Sequence, residues 1–426
     1  MYSRKPQNIR LLLFLTSGLL GFDLEINSMF KKIIPFIFML FTTGTLTACG
    51  RTQSTKEKEP ERSEIVSEEE KTWNSTNRGT EESLIPEKNE TEPSETEDLE
   101  KRFGGNCIIE QTFEVELSEY NGKVYFVPFA PSEDHQDLHI QIIQDSKTLA
   151  DIPSYVPDEL AEEKFSSLDA VTFYDINYDG STDILLIETY GSTSFAAVYY
   201  GFDADAEDYE RQFISQEQLS ENITKQAKPL SIPEIRSFLS NGKKNGEFSS
   251  YQEAYETVSR LCELEDTAEK GYNLIYFDAN DIPELVAGVN DYYTSLYTYN
   301  NGTVYTLMDR WPYGAMGNAG YEYSPGKNSL RNYNNDFAGA ILYTTYMTVS
   351  SEYSMDIAAQ IETYNFDDVN KNKIPDENEA GSIGHYSVSY INGAEAADKE
   401  CASYDAGNYE YMEAVMSLEE LKSRLN

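Results

Sequence analysis

Nine residues, Asp175-Ile176-Asn177-Tyr178-Asp179-Gly180-Ser181-Thr182-Asp183, carry the densest oxygen chemistry in this chain of 426 residues. Calcium is a hard cation that gathers several oxygen ligands at once, and acidic or amide side chains at alternate positions supply them from one turn. Asp175, Asn177, Asp179 and Asp183 stand first, third, fifth and ninth. Ser181 offers its carbonyl at the seventh place, and Gly180 permits the sharp turn at the sixth. Leu186 occupies the twelfth place, where an EF-hand carries Glu, and the flanking residues read as strands rather than helices. A second stretch repeats the pattern with Asp368, Asn370, Asn372 and Asp376, the Ile374 carbonyl at the seventh place and Glu379 at the twelfth. Lys373 replaces the glycine there, so a bulky residue must enter the left-handed turn and brings positive charge with it. A third stretch, Tyr276 to Glu284, keeps Asp278, Asn280 and Glu284 but puts Tyr276 first and Asp281 in the glycine place. It reads as an ordinary turn before a strand.

Other chemistry is sparse. Arg310 to Tyr321 combines Trp311, Tyr313 and Tyr321 with flexible glycines, a composition that can stack on a sugar or a peptide; a loop that packs the same aromatics into the core of 244–426 is the favoured reading. The three histidines give no metal spacing: His135 and His139 are four apart, but His139 runs into a strand, so the pair reads as part of a solvated loop. His385 and Cys401 have no supporting nucleophile signature. A P-loop, a serine nucleophile elbow and a zinc-hydrolase motif are absent. Carboxylate pairs for glycoside hydrolysis are too numerous to choose by sequence.

The elements that must position these loops are mainly strands. Phe113, Val115 and Leu117 alternate with polar residues, and Asn121-Gly122 makes a hairpin turn into Val124–Val127. Strands are expected at Val171–Tyr174, Ile184–Ile187, Phe195–Phe202, Asn273–Phe277 and Glu284–Val289, with a hairpin whose turn Asn301-Gly302 lies between Leu296–Tyr299 and Val304–Leu307. Helices are expected at about Pro233–Leu239, Tyr251–Leu264 and Leu418–Leu425. The expected class is α+β, mainly β: two antiparallel-sheet domains, 103–243 and 244–426, each with a few short helices and no full propeller, because no regular repeat is present. The 32 tyrosines suit half-buried sheet surfaces.

The N-terminus sets the compartment. The lysines of Met29-Phe30-Lys31-Lys32, the apolar run to Leu46 and the small residues before Cys49 have the order of a secretory signal. The string Leu46-Thr47-Ala48-Cys49 resembles the lipobox of bacterial lipoproteins, which implies a signal peptide over 29–48, acylation of Cys49 and a membrane anchor on the extracellular face. Residues 1–28 then read as an over-extended start, with a two-span N-terminus as the other reading. Residues 49–102 are Glu, Ser, Thr, Lys, Asn and Pro with few apolar side chains, the composition of an acidic disordered tether. A net charge of −41 argues against nucleic acid and anionic head groups as partners. It suits cations. With Cys49 lipidated, Cys107, Cys262 and Cys401 remain. Cys262 and Cys401 can form a disulfide, or all three serve as small buried side chains.

A calcium loop between two strands, with an aromatic before it and Ile184-Leu185-Leu186 after it, resembles the FG-GAP/VCBS repeat over about twenty residues. That resemblance implies a structural calcium ion held by the 175–183 loop. The 368–379 stretch resembles the loops of dockerins and thrombospondin type 3 repeats. The chain from 107 onward is similar to surface lipoproteins of gut clostridia, a likeness that implies no catalytic residue.

The expected function is therefore a membrane-anchored, calcium-stabilised, non-enzymatic lipoprotein that binds a polysaccharide or a surface protein. An extracellular hydrolase using carboxylates of 244–426, and a subunit of an envelope complex, are the other two classes.

Overall fold

Four up-and-down runs of strands form four antiparallel sheets in the computed structural model. It describes residues 95–426 apart from 134, 153, 203–212, 315–316, 377–378 and 380–383, so Cys49, the signal peptide and most of the tether lie outside the described residues. The first sheet holds β1 (Phe113–Glu116), β2 (Lys123–Phe129), β3 (His139–Gln144) and β4 (Lys147–Ile152) in chain order. The second holds β5 (Phe165–Tyr174), β6 (Asp183–Tyr190), β7 (Thr193–Gly201) and β8 (Phe213–Ser215). The third holds β9 (Gly271–Ile275), β10 (Glu284–Val289), β11 (Tyr293–Asn300) and β12 (Thr303–Pro312), with β12 at its edge. The fourth has seven strands: β13 (Tyr321–Ser324), β14 (Ser329–Asp336), β15 (Ile341–Val349), β16 (Met355–Tyr364), β17 (Tyr386–Ile391), β18 (Ala394–Ala396) and, beside β13, β19 (Glu410–Tyr411). The architecture is mixed α+β with short helices, and no barrel or propeller closes.

Helices fill the space between the second and third sheets. Tyr251–Glu265 starts at Ser250, whose side chain accepts from the Glu253 N–H, and buries Tyr255, Val258, Leu261 and Cys262. Ile232–Ser240 starts at Ser231 and ends in the left-handed pair Asn241 and Gly242. Leu418–Leu425 has a full capping box between Ser417 and Glu420. Helix Glu217–Gln226 has no side-chain cap, which is why no start signal marked it. None of the helices among the described residues is long and apolar enough to cross a membrane.

Three cores explain the sequence pattern. One face of the second sheet (Ile184, Leu186, Tyr190) packs on the first sheet; its other face (Leu185, Ile187) packs on the helices. The third sheet does likewise, with Leu285 and Ala287 toward the helices and Val286 and Leu296 toward the fourth sheet. Strands buried on both faces need continuous apolar runs, hence Ile184-Leu185-Leu186-Ile187 and Leu285-Val286-Ala287. The helix-side core draws residues from both sides of the boundary placed at 243/244, and 93–426 is one compact unit.

Two local readings change. The end of the expected tether is helix Glu95–Phe103, with Lys101 and Arg102 in its last turn, where cations suit the helix dipole. Arg102 and Phe103 also pack on the Tyr125 ring. No disulfide joins Cys262 and Cys401. Cys262 lies against Tyr297, while Cys401 is buried in a separate cluster and donates to the Tyr390 carbonyl. His135 is exposed in the loop before β3, as read, and its ring stacks on that of half-buried His139, whose Nδ1 lies 3.3 Å from Asp151.

Candidate functional site

The 175–183 loop links β5 to β6 and folds around its own oxygens. Asp175 accepts the N–H groups of Asp179 (3.1 Å) and Gly180 (3.3 Å); Asn177 Oδ1 accepts from Asp179, and Asp179 Oδ1 accepts the Ser181 N–H at 2.7 Å. Tyr178 and Gly180 take positive φ, +64° and +85°, which turns successive oxygens inward. Asp183 has a different task. Its two oxygens accept the Ile176 N–H at 2.6 Å and the Gly201 N–H at 2.9 Å, clamping the loop to β7 with no surface exposed. Burial pushes the Asp175 carboxyl up to about 7, with the charge of Asp179 adding to it. Burial also raises Asp179, and holds Asp183 well above the ordinary carboxylate range together with Asp179's charge. A divalent cation would relieve that crowding, and the all-oxygen donor set suits calcium. Among the described residues no three His, Cys, Asp or Glu side chains are gathered as ligands. At this loop Asp183 is committed to backbone N–H groups, so an ion would draw on Asp175, Asn177, Asp179 and the Ser181 carbonyl.

The 368–379 loop repeats the same bonds. Asp368 accepts from Asn372 (3.0 Å) and Lys373 (3.1 Å), Asn370 from Asn372, and Asn372 Oδ1 from Ile374 at 2.8 Å. Lys371 and Lys373 occupy the two positive-φ places, +58° and +61°. The Lys373 ammonium turns away to the Tyr390 hydroxyl and Glu362, so its charge is paired outside the loop. Glu379, almost fully buried, accepts the Val369 N–H at 2.7 Å and takes the clamp role that Asp183 has in the first loop. Asp376 accepts from the Asn370 amide. In the Tyr276–Glu284 turn, Glu284 accepts the Phe277 N–H at 2.8 Å, again as the clamp, but Tyr276 provides no first oxygen. The clamp survives where the ligand set does not.

A cleft of about 610 Å³ opens beside the first loop. Asp175, Asp179 and Gly180 form part of its lining, β12 contributes Tyr305, Asp309 and Trp311, and the turn before β16 contributes Glu352 and Tyr353. The loop is tied to β12: Asn245 accepts the Val304 N–H (2.8 Å) and donates to the Val304 carbonyl (2.9 Å) and to Asp175, while Thr306 donates to the carbonyls of Asn177 and Tyr178. A bulge in β12 sets Asp309 and Arg310 opposite Ser295, and Arg310 has φ +47°. Such bulges re-aim side chains. Asp309 stays in contact with water in the cleft, yet enclosure by protein pushes its carboxyl up to about 6, with Glu265 and Asp179 adding like charge. Tyr353, at φ +58°, stacks on Tyr305 with ring centroids 4.2 Å apart.

Of the three aromatics singled out by sequence, only Trp311 lines the cleft. Tyr313 and Tyr321 are buried in the core between the third and fourth sheets, and Trp311 packs against that core from its edge. Asn245, Tyr305, Asp309 and Tyr353 were not singled out. They come from three distant segments with no shared motif, and only the bulge and the sheet packing bring them together.

No family model, no curated protein and no solved structure matches this chain.

Proposed function

We propose that the chain is a membrane-anchored extracellular lipoprotein, held by acylated Cys49, whose calcium-stabilised folded part binds a polysaccharide or a protein without catalysis. The observation that supports it best is the cleft, where the oxygen-rich 175–183 loop and the aromatic wall of Tyr305, Trp311 and Tyr353 share one lining. Pockets of this size that combine aromatic faces with a few placed polar groups suit ligand recognition. Calcium at 175–183 would fix the loop and, through Asn245 and Thr306, the edge strand β12; its role is structural. The 368–379 loop, with the same bonds, is the second calcium site of this reading. Incorporation of labelled palmitate at Cys49 tests the anchor.

Melting the full chain carrying Cys49→Ser, with calcium or with chelator, tests the metal. A midpoint higher by several degrees in calcium, lost on Asp175→Ala, is expected for a bound ion. An unchanged midpoint would sink the structural-calcium claim. Binding to cell-wall and glycan arrays and to peptide arrays then tests the ligand class.

The raised carboxyl of Asp309, in a cleft that Glu352 also lines, favours one second reading, a glycan hydrolase with Asp309 as proton donor. Release of reducing ends that disappears in Asp309→Asn would establish it.

A further inference from the structure

Three properties of the cleft together narrow its ligand. The first is charge. Asp309 and Glu352 line it beside Asp175 and Asp179, which the calcium reading assigns to the ion, and among the described residues its lining holds no Lys, Arg or His. The nearest base in sequence, Arg310, is outside the lining and paired with Glu265 at 2.9 Å, and its charge offsets part of that around Asp309. Among the described residues no base lies within ion-pair distance of Asp309, and Glu352 is exposed at the rim. The second is the aromatic wall. Tyr305 and Tyr353, stacked on each other, and Trp311 line the cleft with those carboxylates, and Tyr353 keeps its place at the cost of a left-handed backbone. Carboxylates beside aromatic faces recognise ammonium and guanidinium groups, because the ring quadrupole and the anion attract the same charge. The third is main chain. β12 is the edge strand of its sheet; Asn245 and Tyr178 cap its first half, and beyond Thr306 the edge runs along the cleft toward Trp311. Both register shifts of β12 fall in this half, so a peptide lying along it meets single main-chain groups rather than a continuous ladder.

We propose that the cleft binds a basic peptide segment, extended along the outer half of β12, with a lysine or arginine side chain held between Asp309 and Glu352 against Tyr305, Tyr353 and Trp311. This rests on the binding reading above and chooses the protein class within it. A neutral glycan would also stack on the rings, but it would leave the carboxylates without a counter-charge. The acidic field of the chain steers the same ligand toward it.

The test uses the full chain carrying Cys49→Ser and Trp73→Phe, so that Trp311 is the only indole, in saturating calcium and physiological salt. The probes are a fluorescein-labelled Lys-Thr-Lys-Thr-Lys-Thr peptide, its Glu-Thr counterpart and a panel of neutral oligosaccharides. Binding of the basic peptide with a shift in Trp311 emission is expected, and none of the acidic one. The pair Asp309→Asn with Glu352→Gln should weaken binding roughly tenfold. The pair Glu400→Gln with Glu419→Gln, which removes as much charge from exposed places outside the cleft, should weaken it by less than about twofold. Glu352→Lys, an exposed reversal, repeats the test where Asp309→Asn disturbs folding. Equal weakening by both pairs would reduce the attraction to the general field and overturn the site, as would the absence of peptide binding. Neutral oligosaccharides that bind and shift Trp311 while the peptide does not would overturn the cationic class and leave the binding reading standing.

Discussion

Glu188 sits in the middle of β6 with no exposed surface and neither carboxylate oxygen hydrogen-bonded. Burial pushes its carboxyl up to about 8, with Asp137 adding like charge, and the rings of Tyr190 and Tyr199 are its other titratable neighbours. The sign of the consequence follows from proton counting. Below the ordinary carboxylate value of 4.5 both folded and unfolded chains hold the proton. Between there and about 8 only the folded chain holds it, so stability falls as pH rises through that window. At neutral pH the loss amounts to about 3 kcal/mol. Glu188→Met, similar in length and free of charge, should therefore raise the melting midpoint at pH 7.5 and change it far less at pH 5. An equal change at both pH values would show that packing, not ionisation, sets the cost. Glu188 was not legible as a problem in the sequence, because Glu-Thr after Ile187 reads as a strand end, whereas β6 runs on to Tyr190.

Asn245 shows how an element outside a sheet completes it. Its side-chain amide exchanges two hydrogen bonds with the main chain of Val304, as a neighbouring strand residue would, and so caps an edge that is otherwise open. Asn245→Ala leaves the Val304 N–H and carbonyl without those partners and should cost about 1–3 kcal/mol in chemical denaturation. Calcium should stabilise that variant less than the parent, since the loop has lost one of its ties to β12; undiminished calcium stabilisation would show that the loop and strand are independent. Elements of this fold were legible where local chemistry is self-sufficient. The Asn301-Gly302 hairpin appears as read, with φ +47° and +94°, and the helix at Leu418–Leu425 has the read boundaries. Strands β5 and β12 are longer than read, because β5 is interrupted by Ser and Asp, and β12 by the bulge that carries Asp309 and Arg310. The acidic loops were legible as oxygen-rich turns, and the identical bonding of 175–183 and 368–379 was not, since Lys373 argues against it until its ammonium is seen to leave the loop.

Across the whole molecule the sheets share faces rather than standing apart. The helix-side core joins Leu185 and Ile187 to Leu285 and Ala287, so residues on the two sides of position 243 bury one another. A sequence marks which residues are apolar but not which distant run they meet, and for that reason the cleft was invisible: its lining comes from 175–180, 245, 303–311 and 352–355. The three thiols of the described residues make this arrangement measurable. Cys107 is half-buried, while Cys262 and Cys401 are enclosed, one in the helix-side core and one under the fourth sheet. An enclosed thiol meets an alkylating reagent only when its surroundings open, so each native cysteine is a clock for a different part of the molecule. In a shared-core fold, Cys262 and Cys401 should become labelled at one denaturant concentration, read by mass spectrometry; labelling at two well-separated concentrations would restore two independently folding halves. With no disulfide among the described residues, they reach this structure without an oxidant, and their fold does not report the redox state of its surroundings.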